Sequence, residues 1–298
     1  MKDQELQPFV KWVGGKRQLL PEITKLINSA RKFDSYYEPF LGGGAVFLNL
    51  QPENAILNDQ NSELINAYQV IQSSPNELIS ELSRMKNTED EFYRIRSLDR
   101  SEDYQYLSSV KKAARMIYLN KTCFNGLYRV NRSGYFNASF GKYSTPNIVE
   151  KEKLIQLSAY FNDKNIHFQN GDFSESLRSA NVDSLVYLDP PYLPVSKTAN
   201  FTGYTSSGFD IREQIRIRNQ CHQLHEKGAQ FILSNSNNPQ IYELYSHFHI
   251  KTVFARRSIN SNGQDRGSVK EVLITNIRPV SNSTIEVGTN FEQMSLGI

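Results

Sequence analysis

Short apolar runs recur along the chain and predict seven β-strands. They lie near residues 35–40, 55–58, 166–169, 184–188, 229–234, 248–254 and 271–276. Helical segments are predicted between the earlier runs, but the last two runs have no helix-length gap between them and predict an antiparallel pair. The pattern therefore predicts an α/β fold in which one seven-stranded sheet ends in a hairpin.

The segment between residues 61 and 146 has helical spacing and no strong strand signal, so we predict a helical insertion there. Two groups of apolar residues behind the N-cap candidate Asn61 carry that spacing. They are Leu64, Ile65, Tyr68 and Ile71, and then Leu107, Val110, Ala114, Ile117 and Tyr118. The insertion would interrupt a catalytic domain formed by residues 1–60 and 147–278. A further helix between Asp210 and Gly228 is predicted in the second part of that domain.

The last twenty residues, 279–298, are polar with few apolar anchors. Such a composition cannot bury enough apolar surface to offset the entropy of ordering. We therefore expect a disordered tail there.

The residues Asp189, Pro190, Pro191 and Tyr192 directly follow the apolar run at 185–188. Proline removes a backbone donor and fixes φ, so the strand ends here and the four residues lie in a loop at its carboxyl end. Ligands bind at that edge of open α/β sheets. The motif has an ordinary alternative, a strand end followed by a turn.

The chemistry of these residues suits an exocyclic amino nitrogen such as adenine N6. That nitrogen is a poor nucleophile because its lone pair is delocalised into the ring. The carboxylate of Asp189 and the rigidly held carbonyl of Pro190 can accept the two amino hydrogens, and Tyr192 can stack on the base. The motif therefore indicates an enzyme that methylates an amino group of a base.

A glycine loop, Gly42 to Gly44, lies between the run at 35–40 and the apolar stretch at 45–48. Glycines let the backbone approach a ligand closely, and Asp59 at the end of the next strand suits the hydroxyls of a ribose. The loop matches neither a Walker motif nor G-x-G-x-x-G, so a cofactor with adenosine but no pyrophosphate, such as S-adenosylmethionine (SAM), fits better. The alternative is a glycine turn that only packs a helix on a strand.

Five sequence blocks follow one another in a characteristic order. They are 9–16 (FVKWVGGK), 38–44 (EPFLGGG), 124–131 (FNGLYRVN), 189–192 (DPPY) and 256–263 (RRSINSNG). From Phe9 to about Ile277 the chain resembles the Dam family of DNA adenine-N6 methyltransferases, which modify adenine within GATC. The resemblance implies the Rossmann-like sheet of class I SAM-dependent methyltransferases, with the inserted helices as the target-recognition part.

The resemblance also implies which residues bind SAM. Trp12 and Lys16 would lie beside it, Phe40 and the glycine loop below it, and Asp59 on its ribose. Asp172 and Phe173 would flank the adenine ring. The expected cofactor-binding set is Trp12, Lys16, Phe40, Gly42, Gly44, Asp59, Asp172, Phe173 and Asp189, and the expected catalytic set is Asp189, Pro190 and Tyr192.

Charge is uneven along the chain and favours a nucleic-acid partner. The net charge is only +3, but residues 111–142 hold seven basic side chains and no acid, whereas residues 77–103 hold eight acids and five bases. Lys111 and Lys112 begin the basic segment, and Phe124, Asn125, Tyr128 and Asn131 are interleaved with it, which suits phosphate, stacking and base-edge contacts. The alternative for a basic run is a solvated helix face.

By resemblance, base recognition lies in the segment from Phe124 to Arg132. Leu127 would touch a base by apolar contact, and Arg129 could donate two hydrogen bonds to a guanine edge. Ser139 stands where a proline is usual in the family, which leaves recognition of an outer base open. Further contacts, mainly to phosphates, would come from Asn260, Asn262 and Arg266.

Several classes of protein do not fit the sequence. No run approaches the ~18 apolar residues of a membrane span and the amino terminus has no apolar signal core, so we expect a cytoplasmic protein. Two cysteines are too few for a disulfide framework, and no residue cluster calls for a metal. Without a Pro-Cys dipeptide, cytosine ring methylation lacks its nucleophile. We expect a monomer acting on double-stranded DNA.

Three functions remain open at this stage. The first is an adenine-N6 methyltransferase acting on DNA. The second is a methyltransferase acting on RNA or on a protein amide, where related motifs occur without the block at 124–131. The third is a DNA-binding protein without catalysis, which would have no reason to keep Asp189, Tyr192, Asp59 and the glycine loop together.

Overall fold

One mixed β-sheet runs through the protein, whose computed structural model describes residues 5–192, 209–256 and 268–278. Its strands are β1 (Ser35–Glu38), β2 (Asn54–Asp59), β3 (Asn165–Asn170), β4 (Ser184–Leu188), β5 (Gln230–Ser236), β6 (His249–Arg256) and β7 (Ser268–Thr275). Their order across the sheet is β3-β2-β1-β4-β5-β7-β6. The first five strands in chain order pair in parallel, and β7 is antiparallel to both β5 and β6. The predicted Rossmann-like α/β sheet with a final hairpin is therefore confirmed.

The strand order reverses between β1 and β4, which are adjacent and parallel. At such a point the connections leave toward opposite sides of the sheet and open a crevice at the carboxyl ends of the strands. Glu38 is the last residue of β1, and Asp189 directly follows β4. The fold therefore brings two of the sequence blocks to the same edge of the sheet.

Ten α-helices occur in the described part of the chain. They are α1 (Leu20–Asn28), α2 (Ala45–Leu50), α3 (Ser62–Ser73), α4 (Pro75–Ser83), α5 (Glu89–Ser97), α6 (Ser109–Thr122), α7 (Lys151–Asp163), α8 (Phe173–Ser176), α9 (Ile211–Glu226) and α10 (Pro239–Leu244). Short 3-10 helices add Lys16–Gln18, Leu98–Arg100, Glu102–Tyr106 and Phe124–Gly126. Asn61 caps α3 by accepting from Leu64 N, and Asp210 caps α9 by accepting from Arg212 N and Glu213 N, so both predicted caps are confirmed.

The two faces of the sheet bury two separate cores. Along β4, Leu185 and Tyr187 join one core while Val186 and Leu188 join the other, as the alternation of a strand requires. The inserted helices α4, α5 and α6 share the first core with the sheet through α3 and α7. Residues 123–146 have no regular element beyond the turn at 124–126, and isolated bridges join Cys123 to Phe140 and Val130 to Phe136.

One sequence expectation differs in detail from the structure. Leu107 precedes α6, which begins at Ser109 behind the cap Ser108, because the segment before it forms a 3-10 helix. The division into 1–60 plus 147–278 and 61–146 stays a prediction, and the tail 279–298 lies outside the described residues. Within the described ranges, no helix combines the length and the apolar character that a membrane span requires.

Candidate active site

The site is built around Asp189, which the structure pairs with Lys16. Lys16 Nζ lies 2.8 Å from Asp189 Oδ2, and both side chains are largely withdrawn from solvent. The ammonium also donates to the carbonyl of Gly14 at 2.6 Å and lies 5.0 Å from the centre of the Tyr192 ring. Blocks 9–16 and 189–192, distant in sequence, therefore form one cluster.

The other contacts of this loop fix its shape. Tyr192 Oη donates to Glu271 Oε2 on β7 at 2.8 Å. Gln214 Nε2 on α9 donates to the carbonyl of Pro191 at 2.9 Å, and Gln214 is itself held by buried Asn235 on β5. Within the described part of the chain no donor reaches the carbonyl of Pro190. Of the two proline carbonyls, one is used to hold the loop and the other is left to accept from a ligand.

Burial sets the electrostatics of Asp189. Loss of hydration raises the pKa of its carboxyl above the usual range, and the Lys16 ammonium opposes that rise. Glu271 raises the pKa further, whereas the hydrogen bond with Tyr192 lowers it. The ion pair with Lys16 therefore favours the carboxylate, the form that accepts hydrogens from an amino group.

Glu38 is a second carboxyl in the cluster, and the sequence reasoning did not single it out. It is buried, and its Oε2 accepts from Tyr36 Oη at 2.6 Å and from Phe47 N at 3.1 Å. Burial raises its pKa to about 8, and the charge of Asp189 contributes to the rise. Glu38 is therefore mostly protonated at neutral pH, whereas the carboxyl of Asp189 has the Lys16 ammonium as its ion-pair partner.

Replacing Glu38 by glutamine is expected to flatten the pH dependence of the free energy of unfolding. A carboxyl whose pKa is higher in the folded protein stabilises the fold fully below its unfolded pKa, and that stabilisation is lost as pH rises toward about 8. Wild-type stability should therefore fall between about pH 4.5 and 8, by at most ~1.4 kcal/mol per pH unit from this group. Denaturant unfolding of both proteins at several pH values measures the difference. Parallel curves would contradict the buried, protonated Glu38.

The glycine loop is held in place by the carboxylate of Asp59. Its Oδ2 accepts from Gly42 N at 2.9 Å and its Oδ1 from Asn61 N at 2.9 Å. Gly42 and Gly44 have positive φ, and an added Cβ would come within 2.7 Å of Trp12 Cδ1 at Gly42 and 2.8 Å of Tyr68 Oη at Gly44. Glycine is therefore required at positions 42 and 44, and Trp12 packs directly on the loop.

Phe40, two residues before the glycine loop, packs with two other aromatic rings. The Phe40 and Phe173 rings are 5.2 Å apart, and Phe209 approaches Phe40 edge-on at 6.4 Å. Asp172 caps α8 through Ser174 N and pairs with Arg216 at 2.8 Å, which lowers its pKa despite partial burial. The expected cofactor residues thus lie along the carboxyl ends of β1, β2, β3 and β4.

The turn at Phe124–Gly126 is joined to the block at residues 9–16 by Asn120. The fully buried carboxamide of Asn120 accepts from Lys11 N at 2.9 Å and donates to the carbonyls of Lys11 at 2.8 Å and Gly126 at 3.0 Å. Next to it, Trp12 stacks on Tyr128 at 5.3 Å, and Tyr128 is buried rather than exposed among the basic residues as the sequence suggested. The side chain of Phe124, in this turn, is 58% exposed.

The DNA-binding candidates differ in how they are placed. Lys111, Phe124, Asn125, Arg129, Asn131, Arg132 and Ser139 are exposed, and Lys112 and Leu127 are half-buried. The carboxamide oxygen of Asn131 accepts from Ser133 N and Tyr135 N, so it closes a turn. Asn260, Asn262 and Arg266 lie outside the described residues.

Two members of the basic segment are structural, which corrects its use as a footprint of seven charges. Arg115 is 1% exposed and pairs with Asp99 at 2.6 Å and Glu63 at 3.2 Å, and Lys121 pairs with Glu150. Arg115 lies in the stretch of α6 from Ala113 to Asn120, in which every residue is buried. The other five basic residues, Lys111, Lys112, Arg129, Arg132 and Lys142, form no ion pair within the described residues and are exposed or half-buried.

Comparison with known proteins bears on this arrangement. The family model described as D12 class N6 adenine-specific DNA methyltransferase matches residues 12–259. A type II methyltransferase of Lactococcus lactis subsp. cremoris, M1.LlaDCHI, is 42% identical over 91% of this chain and 95% of its own length. M.MjaIII of Methanocaldococcus jannaschii is 38% identical over 91% and 99%, and the DNA adenine methylase of Escherichia coli K12 is 34% identical over 89% and 93%.

Proposed function

The chain belongs to the D12 class of N6 adenine-specific DNA methyltransferases, and from that premise we propose that it transfers a methyl group from SAM to adenine N6 within GATC in double-stranded DNA. The observation that carries the proposal is the pair of acceptors at the end of β4. Asp189 is ion-paired with Lys16, which favours its carboxylate form, and the neighbouring carbonyl of Pro190 meets no donor within the described residues. Two such acceptors suit the two hydrogens of one amino group.

The proposed reaction is a single displacement without a covalent enzyme intermediate. An adenine inside a duplex is out of reach, so the base must leave the stack at a cost of a few kcal/mol. Phe124, exposed at its turn, would fill the gap or stack at the opened step. Asp189 and Pro190 then orient the amino lone pair for attack, and alignment with exclusion of water supplies most of the acceleration.

The residues along the strand ends fit SAM, which when bound supplies an electrophilic methyl group. Asp59 supports this fit because, among the described residues, each of its oxygens accepts one backbone hydrogen bond. A carboxylate oxygen has two lone pairs, so capacity for ribose hydroxyls remains. Trp12, Phe40 and Phe173 provide apolar surface around the glycine loop.

SAM should change the fluorescence of Trp12, the only tryptophan, in a saturable way. Asp59→Ala should weaken the apparent affinity by about 10- to 100-fold, since a hydrogen bond to a charged group contributes ~1.5–3 kcal/mol. A fluorescence titration of both proteins measures this effect. Asp163→Ala, at the surface end of α7, is the control and should titrate as the wild type. An unchanged curve for Asp59→Ala would remove Asp59 from the site.

The GATC assignment rests on similarity. Relatives from Serratia marcescens and Escherichia coli are named DNA adenine methylases, and the block at 124–131 supplies Leu127 and Arg129 for base recognition. We propose that the insertion at 61–146 holds the DNA, with Lys111 and Lys112 at phosphates. Asn260, Asn262 and Arg266 would add further contacts to phosphates. Monomeric state and cytoplasmic location stay predictions.

One experiment separates this function from its alternatives. Transfer of a labelled methyl group from SAM is measured on duplex DNA, on duplex RNA of the same sequence and on a protein extract. We expect label in duplex DNA alone. Label in RNA or protein would reject the DNA substrate, and binding of DNA without any transfer would reject catalysis.

A further inference from the structure

The segment that carries Arg129 is fixed on the protein by its backbone. Phe136 N donates to Asp99 Oδ2 at 2.7 Å, and Arg100 Nη2 donates to the carbonyl of Phe136 at 2.8 Å. Asp99 is in turn held by buried Arg115 at 2.6 Å. The hairpin formed by residues 129–137 is therefore positioned before any DNA binds.

Asn137 lies opposite Arg129 across this hairpin and holds its side chain. Asn137 N donates to the carbonyl of Arg129 at 2.9 Å, which sets the register. In the other direction, Arg129 Nε donates to Asn137 Oδ1 at 2.7 Å and Arg129 Nη2 donates to the carbonyl of Asn137 at 3.2 Å. Both of these bonds use the same edge of the guanidinium, the one formed by Nε and Nη2.

The geometry of the guanidinium decides what remains available. Its five N–H donors lie in one plane in a fixed arrangement. With the Nε/Nη2 edge bound to Asn137, two hydrogens of Nη1 and one of Nη2 are left, and they form the end of the exposed side chain. Two parallel donors of this kind match O6 and N7 of guanine in the major groove. An arginine that is already held also loses less rotamer freedom on binding.

We propose that Asn137 is a specificity-determining positioning residue, which presents the Nη1/Nη2 edge of Arg129 to a guanine of the target. The inference rests on the proposed function, in which Arg129 contacts that guanine. Asn137 itself is half-buried and acts through Arg129. Removal of the Asn137 side chain should leave the backbone of Arg129 in place but no longer fix the orientation of its guanidinium.

The test compares wild type with Arg129→Ala, Asn137→Ala and the double variant on duplexes with one target site. In the modified duplexes, 7-deazaguanine removes the N7 acceptor, and inosine keeps O6 and N7 but loses the minor-groove amino group. The wild-type kcat/KM should fall by about 5- to 150-fold on 7-deazaguanine, equivalent to ~1–3 kcal/mol, and little on inosine. Arg129→Ala should abolish this difference.

We call the fall in kcat/KM on the 7-deazaguanine duplex the 7-deazaguanine penalty. Asn137→Ala should reduce this penalty by at least about fivefold. The change should come from a raised KM on the unmodified duplex, while kcat at saturating DNA stays unchanged. Combining it with Arg129→Ala should add nothing, since both act on one contact. Asn137→Asp keeps an acceptor for Nε and should restore the penalty. Lys111→Ala is the comparator and should weaken every duplex by the same factor. Asn137→Ser, with a hydroxyl too short to reach Nε, repeats the test if the alanine variant does not fold.

Two results would overturn the inference, and they differ. A full 7-deazaguanine penalty in Asn137→Ala and Asn137→Ser, together with its loss in Arg129→Ala, would reject the role of Asn137 and keep guanine recognition. Uniform weakening of all duplexes by Arg129→Ala would reject guanine recognition by this residue, and the inference with it.

Discussion

Asp189→Ala is expected to lower the single-turnover rate of methyl transfer by far more than tenfold while SAM and DNA still bind. The substitution removes one of two acceptors that orient the amino group, and tenfold corresponds to only ~1.4 kcal/mol of barrier. It also leaves the buried ammonium of Lys16 without its partner, which can lower stability. Rapid-quench measurement on a duplex with one target site gives the rate.

Asp189→Asn separates the catalytic effect from the structural one. Its single carbonyl oxygen can still accept from Lys16, so the cluster stays packed, but a carboxamide NH₂ then faces the amino group in place of an acceptor. We expect both variants to be defective and the asparagine variant to melt closer to wild type. Either variant retaining more than a tenth of the wild-type rate would rule out the proposed role of Asp189.

Lys16→Met is expected to move the acid limb of the rate profile to higher pH. The Lys16 ammonium opposes the burial that raises the pKa of Asp189, so its removal raises that pKa further. Transfer requires the carboxylate, and the rate is therefore lost at a higher pH as the solution is acidified. Breaking a buried ion pair costs ~3–5 kcal/mol, an upper limit here because the Asp189 side chain keeps 19% exposure and can take up a proton.

The control for Lys16→Met is Arg17→Met. Arg17 is the exposed neighbour of Lys16, and its replacement removes the same charge from the same short helix without altering a contact of Asp189. Single-turnover rates between pH 5 and 8 should shift for Lys16→Met and not for Arg17→Met. An acid limb that stays in place in Lys16→Met would show that the ion pair does not tune Asp189.

The sheet and its loops could be predicted because their signals are local. Each strand is a short apolar run, and Asp189 and Asp59 come directly at strand ends, so the parallel sheet brings them to one edge. The glycine loop could be predicted for the same reason, because the positive φ at Gly42 and Gly44 is a local requirement for glycine that does not depend on distant residues.

The contacts that hold the site together could not be predicted, because they join distant segments. Gln214 and Asn235 support the loop after β4 from α9 and β5, and nothing in their neighbourhoods marks them as partners. Glu271, which anchors Tyr192, is an ordinary charged residue in a strand. Burial of a polar residue depends on tertiary packing, which a single sequence does not show.

The position of the methyl group in the product tests the central claim most directly. A duplex with one GATC site is incubated with the protein and SAM carrying an isotopically labelled methyl group. The duplex is then digested to nucleosides, which are identified by their masses. The account predicts labelled N6-methyl-2′-deoxyadenosine from this duplex, and none from a duplex whose GATC adenine is replaced or from Asp189→Ala. Label on cytosine, or on adenine regardless of the GATC site, would contradict it.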